Sequence, residues 1–205
     1  MRSLLLLGLL LLTSCNSFTK KRVEHLAIGR VASDFDTYSI HRVGLMPVIG
    51  RGVDMEHAQI LQSAFYTELS QQTSFEVVPL GPMDLEEINQ TESYIRGSYE
   101  PEMIIEVAKR FRFDAMLVGT IVDYQFYSPQ RLSVEMELVA TETGAAIWSG
   151  SVQLDSTSRR VQDALEAFYA DSGAVESADG SGWEIALLSP RLFAQFAAWQ
   201  IAKLL

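Results

Sequence analysis

The segment from residue 114 to residue 154 constrains the fold of this chain more than any other. Residues 114–123 (DAMLVGTIVD) hold an unbroken apolar run, which is typical of a strand buried in the middle of a sheet. Residues 132–141 alternate apolar and polar side chains, which predicts a strand with one face on the core and the other toward water or a partner. Thr143-Gly144 suits a hairpin turn, and residues 145–154 return as a third strand. The segment therefore predicts a three-stranded meander.

The alternation also assigns side chains to the two faces of this meander. The core face is expected to carry Leu132, Val134, Met136, Leu138 and Ala140 from the second strand, and Ala146, Trp148, Val152 and Leu154 from the third. The opposite face of the second strand is expected to carry Ser133, Glu135, Glu137 and Thr141.

Two β–α units precede the meander. Residues 42–49 (RVGLMPVI) are apolar on both faces, but Pro47 has no N–H for the ladder, so the far end of this strand is expected at an edge or a bulge. Asp54 is a suitable N-cap for an amphipathic helix that runs to residue 72, and residues 75–79 form a short second strand. Pro101 starts another helix. This mixture predicts the α/β (α+β) class, with one mixed sheet of about five strands and helices packed on it.

The C-terminal third adds two helices. Residues 158–169 carry an apolar stripe, and a polar loop over residues 171–182 separates them from a last helix that begins at Ser189-Pro190. The last helix is apolar on more than one face, which leaves two alternatives: it docks on the sheet of its own chain, or it is shared with a neighbouring subunit. We assign residues 42–205 to a single domain.

The N-terminus carries a short apolar run of about nine residues, 4–12, behind the positive charge of Arg2. This is the length of a signal-peptide core and far short of the roughly 20 residues that span a bilayer. Leu12-Thr13-Ser14-Cys15 follows, and this tetrapeptide resembles the lipobox of bacterial lipoproteins. A plain signal peptide that happens to end near a cysteine is the alternative.

The lipobox resemblance implies a processing scheme and a location. Residues 1–14 are then a signal peptide, and the Cys15 thiol accepts a diacylglyceryl group. The new amino group of Cys15 is also acylated, with a fatty acid such as palmitate, and residues 15–41 form an acylated N-terminus and tether. In the sorting pattern known from enterobacteria, Asp after the acylated cysteine retains a lipoprotein in the inner membrane, and this chain has Asn16 there. The resemblance therefore implies anchorage in the cell outer membrane, with the domain in the periplasm.

The charge balance narrows the class of partner. The chain has 16 Lys and Arg against 26 Asp and Glu, a net charge of −10, which argues against nucleic acid as a partner. The one basic cluster, Lys20-Lys21-Arg22, lies beside Cys15, so it either touches phospholipid headgroups or forms a solvated tether.

No catalytic or metal-ligating pattern stands out. The three histidines lack the spacing of paired metal ligands, so solvated or capping roles are expected. Gly50-Arg51-Gly52 lacks the Gly-Lys-Ser/Thr that completes a phosphate loop, and there is no Gly-x-Ser-x-Gly elbow. Asp114 and Asp123 are expected to be solvated carboxylates at strand ends rather than an acid–base pair. The sequence predicts no catalytic residue, no bound metal and no cofactor.

An aromatic cluster lies in the connection over residues 124–131 (YQFYSPQR). We predict Tyr124, Phe126, Tyr127 and Pro129 as a candidate contact surface for a partner. The alternative is a hairpin tip that folds onto its own domain.

The order of elements, from RVGLMPV through FEVVP to FDAMLVGTIVDY and LSVEMELVATETGAAIWSG, extends over residues 42–155. Within it, Gly119-Thr120 ends a hydrophobic strand, Thr143-Gly144 forms a turn and Trp148 supplies an aromatic residue. This pattern resembles periplasmic lipoproteins of the curli-secretion-channel (CsgG-like) type. The same fold group includes the N-terminal domain of TolB, the penicillin-binding-protein activator LpoB and the exopolysaccharide-export lipoprotein PelC. The resemblance implies an anticodon-binding-domain-like, TolB-N-like fold.

One departure limits what the resemblance implies. The curli channel inserts long amphipathic hairpins into this sheet, whereas residues 124–131 make the corresponding connection here. A transmembrane strand needs about 9–11 residues, so there is no room for a pair of them, and pore formation is not implied.

Three functional hypotheses follow. The resemblance implies a non-enzymatic scaffold or accessory of a cell-envelope secretion, export or assembly system, held to the membrane by its lipid anchor, with envelope protein partners and further copies of itself as candidate partners. The alternative is a periplasmic binding module for a small ligand or a peptidoglycan fragment. A hydrolase, the third hypothesis, would need a site that the sequence does not reveal.

Overall fold

Within the residues that the computed structural model describes, 22–85, 90–172 and 182–205, seven strands form one open mixed sheet. The strands are β1 (Ile28–Val31), β2 (Arg42–Leu45), β3 (Ile49–Gly50), β4 (Glu76–Pro79), β5 (Ala115–Gln125), β6 (Arg131–Ala140) and β7 (Ala146–Asp155). The helices are α1 (Met55–Gln72), α2 (Gln90–Arg96), α3 (Pro101–Phe111), α4 (Arg159–Ser172) and α5 (Pro190–Ala202). The predicted class, with helices packed on one mixed sheet, is confirmed.

The strand order is β1-β7-β6-β5-β2-β4, and β3 lies beside β5. β2 runs parallel to both β4 and β5, because helices make the connections of the two β–α units. β6 runs antiparallel to both β5 and β7, and β1 adds antiparallel to β7. The predicted meander is therefore present at the centre of the sheet.

Two short strands explain why the sheet has seven strands rather than about five. The first predicted strand is interrupted at Pro47, which cannot donate to the ladder: β2 ends at Leu45, and the chain pairs again at Ile49, beside β5. The Pro47 carbonyl accepts a hydrogen bond from the Tyr99 hydroxyl, at 3.0 Å. β1 comes from the segment that we assigned to the tether, and it pairs with residues 148–151 of β7.

One face of the sheet, which we call the helical face, packs against α1, α4 and α5. α1 begins at its predicted N-cap, where Asp54 Oδ1 accepts the His57 N–H at 2.9 Å. α5 docks on the sheet of its own chain, and Phe193, Phe196 and Ile201 are fully buried there. The stripe predicted for α1 is buried in the same core, and it consists of Ala58, Leu61, Ala64, Phe65 and Leu69.

The opposite face carries a smaller core beneath α3. α3 begins with Pro101 in its first turn, as predicted, and ends where Arg112 adopts a left-handed φ of 57°. Its buried Val107 packs in one cluster with Met116 of β5 and Met46. This second core lies mainly over β2, β3 and β5, so the remaining strands have a different environment on this side.

Candidate functional site

On the α3 side of the sheet, no described helix packs over β7 and β1, or over most of β6. The side chains on this side of β6 and β7 alternate with buried core residues, as the sequence predicted for β6. We call this surface the open face. Its polar residues are Ser133, Glu135 and Glu137 from β6, Ser149, Ser151 and Gln153 from β7, and Arg30 from β1.

The strand register places these residues in cross-strand rows. Glu137 lies opposite Ser149, which lies opposite Arg30, so the backbones of Glu137 and Arg30 are about 10 Å apart, two strand spacings. Between them is a depression of about 290 Å³ with Gly150 among its lining residues. Within the described ranges, neither Glu137 nor Arg30 forms an ion pair. The open face therefore presents separated charges and hydroxyl groups to a contacting molecule. Glu137 and Arg30 do not lie close enough to act together as an acid and a base.

The connection between β5 and β6 bends back onto its own domain. The Tyr124 hydroxyl donates to the Gly52 carbonyl at 2.6 Å. Phe126 is buried and stacks on the His57 ring, with 4.7 Å between ring centroids. Tyr127 and Pro129 remain exposed. The structure thus separates the four predicted contact residues into an anchored pair and an exposed pair, and a partner role for them stays a prediction.

Asp54 and His57 form a pair at the start of α1. The distance from His57 Nδ1 to Asp54 Oδ2 is 2.7 Å, in addition to the backbone hydrogen bond to Oδ1. The backbone and side-chain hydrogen bonds from His57 lower the pKa of Asp54 below its usual value of 3.8. The carboxylate that caps the helix therefore also orients the imidazole against Phe126.

We expect Asp54→Ala to lower the free energy of unfolding by about 1–2 kcal/mol at neutral pH, since it removes the N-cap acceptor and the partner of His57. Because folding lowers the pKa of Asp54, its stabilisation is present above the unfolded-state pKa and is lost as the pH falls through the folded-state pKa. The gap between wild type and variant should therefore narrow below about pH 4, because a protonated carboxyl keeps an oxygen for the cap but loses its charge. Urea unfolding at neutral and acid pH measures both effects. Asp54→Ser, which keeps a capping oxygen, should retain most of the stability, and a constant gap at all pH values would contradict the assignment.

A buried carboxylate lies between α1 and α5. Glu68 is 4% exposed, its Oε1 accepts a hydrogen bond from Gln195 Nε2 at 3.2 Å, and it has no ion pair in the described part of the chain. Burial raises the pKa of Glu68 above its usual value of 4.5. Burial, and secondarily the negative charge of Glu68, also raises the pKa of Tyr169, whose hydroxyl donates to the Leu192 carbonyl at 2.7 Å. A carboxyl of raised pKa is a candidate acid only where substrate reaches it. Glu68 is enclosed by helix packing, so we assign it a structural role.

Glu68→Gln should raise the free energy of unfolding at neutral pH, on the order of 1 kcal/mol, because it removes a poorly compensated buried charge. Folding raises the pKa of Glu68, so its protonated form is favoured in the folded state. The two proteins should therefore be equally stable below the unfolded-state pKa, near pH 4, and should diverge as the pH rises through the folded-state pKa. Denaturant unfolding across this pH range is the measurement. Glu137→Gln, at an exposed carboxylate, should change stability by less than about 0.5 kcal/mol, and a destabilised Glu68→Gln would refute the interpretation.

The other residues that could take part in catalysis or metal binding do not lie close to one another. Asp114 Oδ2 accepts the backbone N–H groups of His41 and Arg42, both at 2.9 Å, whereas Asp123 lies 3.8 Å from the Arg131 guanidinium. His25 stacks on Trp199, with 5.6 Å between ring centroids. In the ranges that the structure describes, no group of three or more His, Cys, Asp or Glu residues is arranged to hold a metal ion.

The predicted lipidation residue, Cys15, lies outside the described residues, and so do residues 1–14 and 16–21. Its acylation therefore stays a prediction. Among the helices of the described ranges, none combines the length and the apolar character needed to cross a membrane.

No family model and no curated protein matches this chain. Among solved structures, it is similar to the PelC dodecamer from Paraburkholderia phytofirmans, with 12% identity over 67% of this chain and 87% of that chain and a TM-score of 0.45. The lipoprotein GNA1162 from Neisseria meningitidis has 19% identity over 56% of this chain and 79% of that chain, with a TM-score of 0.42. The LpoB C-terminal domain from Salmonella enterica has 18% identity over 58% of this chain and 86% of that chain, with a TM-score of 0.40. At this level the likeness does not establish a function, which has to come from the chain's own residues.

Proposed function

We propose that this chain is a lipoprotein anchored in the outer membrane through Cys15, whose periplasmic domain is a non-enzymatic scaffold or accessory of a cell-envelope secretion, export or assembly system. The observation that carries the proposal is Leu12-Thr13-Ser14-Cys15, directly after an apolar run of signal-peptide length. Acyl chains contribute about 0.8 kcal/mol of membrane affinity per buried methylene, and two chains hold a protein stably.

The open face supports a scaffolding role. It spans three adjacent strands, and its polar side chains point to solvent instead of to a second layer of helices. A specific protein interface buries about 800 Å² on each partner, with a polar rim around its centre. The open face supplies such a rim in Glu135, Glu137 and Arg30, none of which has an ion-pair partner among the described residues.

The depression on the open face favours a second candidate function, a binding module for a small ligand or a peptidoglycan fragment. Its volume of about 290 Å³ lies at the lower limit for ligand pockets. Arg30 on one side and Glu135 and Glu137 on the other would contact a ligand that carries both charges. The depression is shallow and has no aromatic side chain in its lining, so a scaffold fits it better than a sugar site does.

The anchor is tested with the full chain in a bacterial host. We expect the wild-type protein to incorporate labelled palmitate, to fractionate with the outer membrane, and to accumulate as a precursor when globomycin blocks the lipoprotein signal peptidase. Cys15→Ser should abolish labelling and processing. Ser14→Ala keeps a small residue before the cysteine and should be processed normally, which makes it a matched control. Intact-mass analysis that finds an unmodified thiol at residue 15 would overturn the proposal.

A further inference from the structure

β1 forms an edge of the sheet, and its outer side has no hydrogen-bonded strand among the described residues. The strand pairs with β7 on one side only, and all four of its residues are exposed. Ile28 is 73% exposed and Val31 is 54% exposed. An edge strand with free N–H and C=O groups and exposed apolar side chains is a template for the addition of another strand.

The opposite edge of the same sheet is protected. β4 ends at Pro79, which cannot donate to a further strand, and it carries Glu76, whose Oε2 lies 3.3 Å from the Arg42 guanidinium. Proline and charged side chains are the common means by which proteins block pairing at an edge. β1 also carries a charged residue, Arg30, but it has no proline, and Ile28 and Val31 are exposed apolar side chains. Of these two edges, β1 is therefore the one left available for pairing.

Apolar groups lie on both sides of the β1 edge. Ile28 lies opposite Ser151 and therefore points to the open face, whereas Val31 lies opposite the buried Trp148 and points to the helical face. On the helical face, Leu204 packs so closely beside Gly29 that a Cβ there would lie 3.1 Å from its Cδ1. The side chains of a strand added beside β1 would pack next to Ile28 on the open face and next to Val31 on the helical face.

We propose that the added strand is β1 of a second copy of this chain, paired antiparallel about a two-fold axis through Gly29. In this register Ile28 lies opposite the partner subunit's Arg30, and the two Gly29 residues meet at the centre, where they add no side chain to either face of the sheet. Residues of equal parity then face each other, so each face of one sheet continues into the same face of the other. The two positive charges of Arg30 are not directly opposite one another, and the closed pairing leaves no β1 edge for a third copy.

The path of the N-terminal segment supports a second copy as the occupant. Residues 22–27 run along α5: the Leu26 N–H donates to Gln200 Oε1 at 2.8 Å, and Gln200 Nε2 donates to the Glu24 carbonyl at 2.8 Å. A two-fold axis perpendicular to the sheet keeps both helical faces, and therefore both N-terminal segments, on one side. Two anchors at Cys15 could then enter the same membrane. This step rests on the proposed function, whereas the chemistry of the edge does not.

The first test is the mass of the full chain in density-matched detergent by sedimentation equilibrium. We expect a dimer for the wild type and at least about a 30-fold weaker dimer for the Ile28→Lys/Val31→Lys double variant, because lysine on an edge strand prevents pairing. Leu188→Lys replaces a residue that is 69% exposed elsewhere, and it should leave the dimer intact. A monomeric wild type, or a dimer that survives the double variant, overturns the proposal.

The second test reports the register. Opposed residues of an antiparallel pair have Cα atoms about 4.5–5.5 Å apart, within reach of a disulfide, so the Ile28→Cys/Arg30→Cys double variant should form a covalent dimer when isolated membranes are mildly oxidised. Val31→Cys places its two sulfur atoms about four residues apart along the strands and should not cross-link. Wild type, with Cys15 as its one cysteine, is the baseline. Equal cross-linking at Val31→Cys overturns the register.

Failure of the lipid anchor alone would leave the detergent measurement unchanged, so the two proposals fail separately.

Discussion

Trp148→Ala should lower the free energy of unfolding by about 3–5 kcal/mol, which is a large share of the 5–15 kcal/mol that stabilises a typical domain. Trp148 is 2% exposed and lies on the helical face of β7. Its ring covers Gly150, where a Cβ would lie 2.7 Å from Cη2, and its Nε1–H donates to the Leu204 carbonyl at 3.1 Å. Alanine would leave a cavity in the main core and an unpaired Leu204 carbonyl. Urea unfolding followed by far-UV circular dichroism measures the loss.

Two further variants test whether the expected loss comes from the packing of Trp148 or only from the removal of an aromatic residue. Tyr127→Ala removes an aromatic residue that is 73% exposed, and we expect a change of less than about 0.5 kcal/mol. Gly150→Ala adds one methyl group where the Trp148 ring lies, and overpacking should cost about 1–3 kcal/mol. If Trp148→Ala loses less than about 1 kcal/mol, and no more than Tyr127→Ala loses, the Trp148 ring is not packed in the core.

The inward position of Trp148 was predictable, because a strand with period two places every second side chain on one face. The same rule failed two residues earlier. Between Leu138 and Val139 the register shifts, so that Ala146 lies opposite Val139 and is exposed, while Ile147 is buried. Ala146 was therefore wrongly assigned to the core face. A β-bulge inserts one residue into one strand and reverses the alternation beyond it, and no residue type in this turn marks its position.

The candidate surfaces depended on contacts distant in sequence, which local patterns do not encode. Ile28 pairs with Ser151, and the composition of the residues before the first predicted strand does not specify that partner. The aromatic residues of the 124–131 connection were recognisable as a cluster, but the partners that hold two of them, Gly52 and His57, lie about 70 residues earlier in the chain. Periodicity predicted the strands and helices, and long-range pairing decided which surfaces stay open.

Gly97→Ala should be the most destabilising single-methyl substitution among the described glycines, with a loss of about 3 kcal/mol or more. Gly97 follows α2 with a φ of +72°, and its N–H donates to the Ser93 carbonyl at 2.7 Å, as at a helix C-terminus. A Cβ at Gly97 would lie 2.5 Å from the Arg51 backbone nitrogen and 3.0 Å from the Gly50 carbonyl carbon. Backbone atoms cannot rotate away as a side chain can, so the cost of the left-handed conformation and the cost of the clash add.

Two other glycines isolate these costs. Gly52 has a φ of +75°, and no neighbouring atom lies within 4 Å of the position that a Cβ would take, so Gly52→Ala should cost only the conformational energy, about 1 kcal/mol. Gly81 has no positive φ, and the nearest neighbour of a Cβ there would be Asp84 Oδ2 at 3.5 Å, so Gly81→Ala should be nearly neutral. Chemical denaturation of the three variants should therefore rank them Gly97, Gly52 and Gly81 in order of decreasing loss. If Gly97→Ala and Gly52→Ala lose equal stability, the end of α2 does not lie against the backbone of residues 50–51.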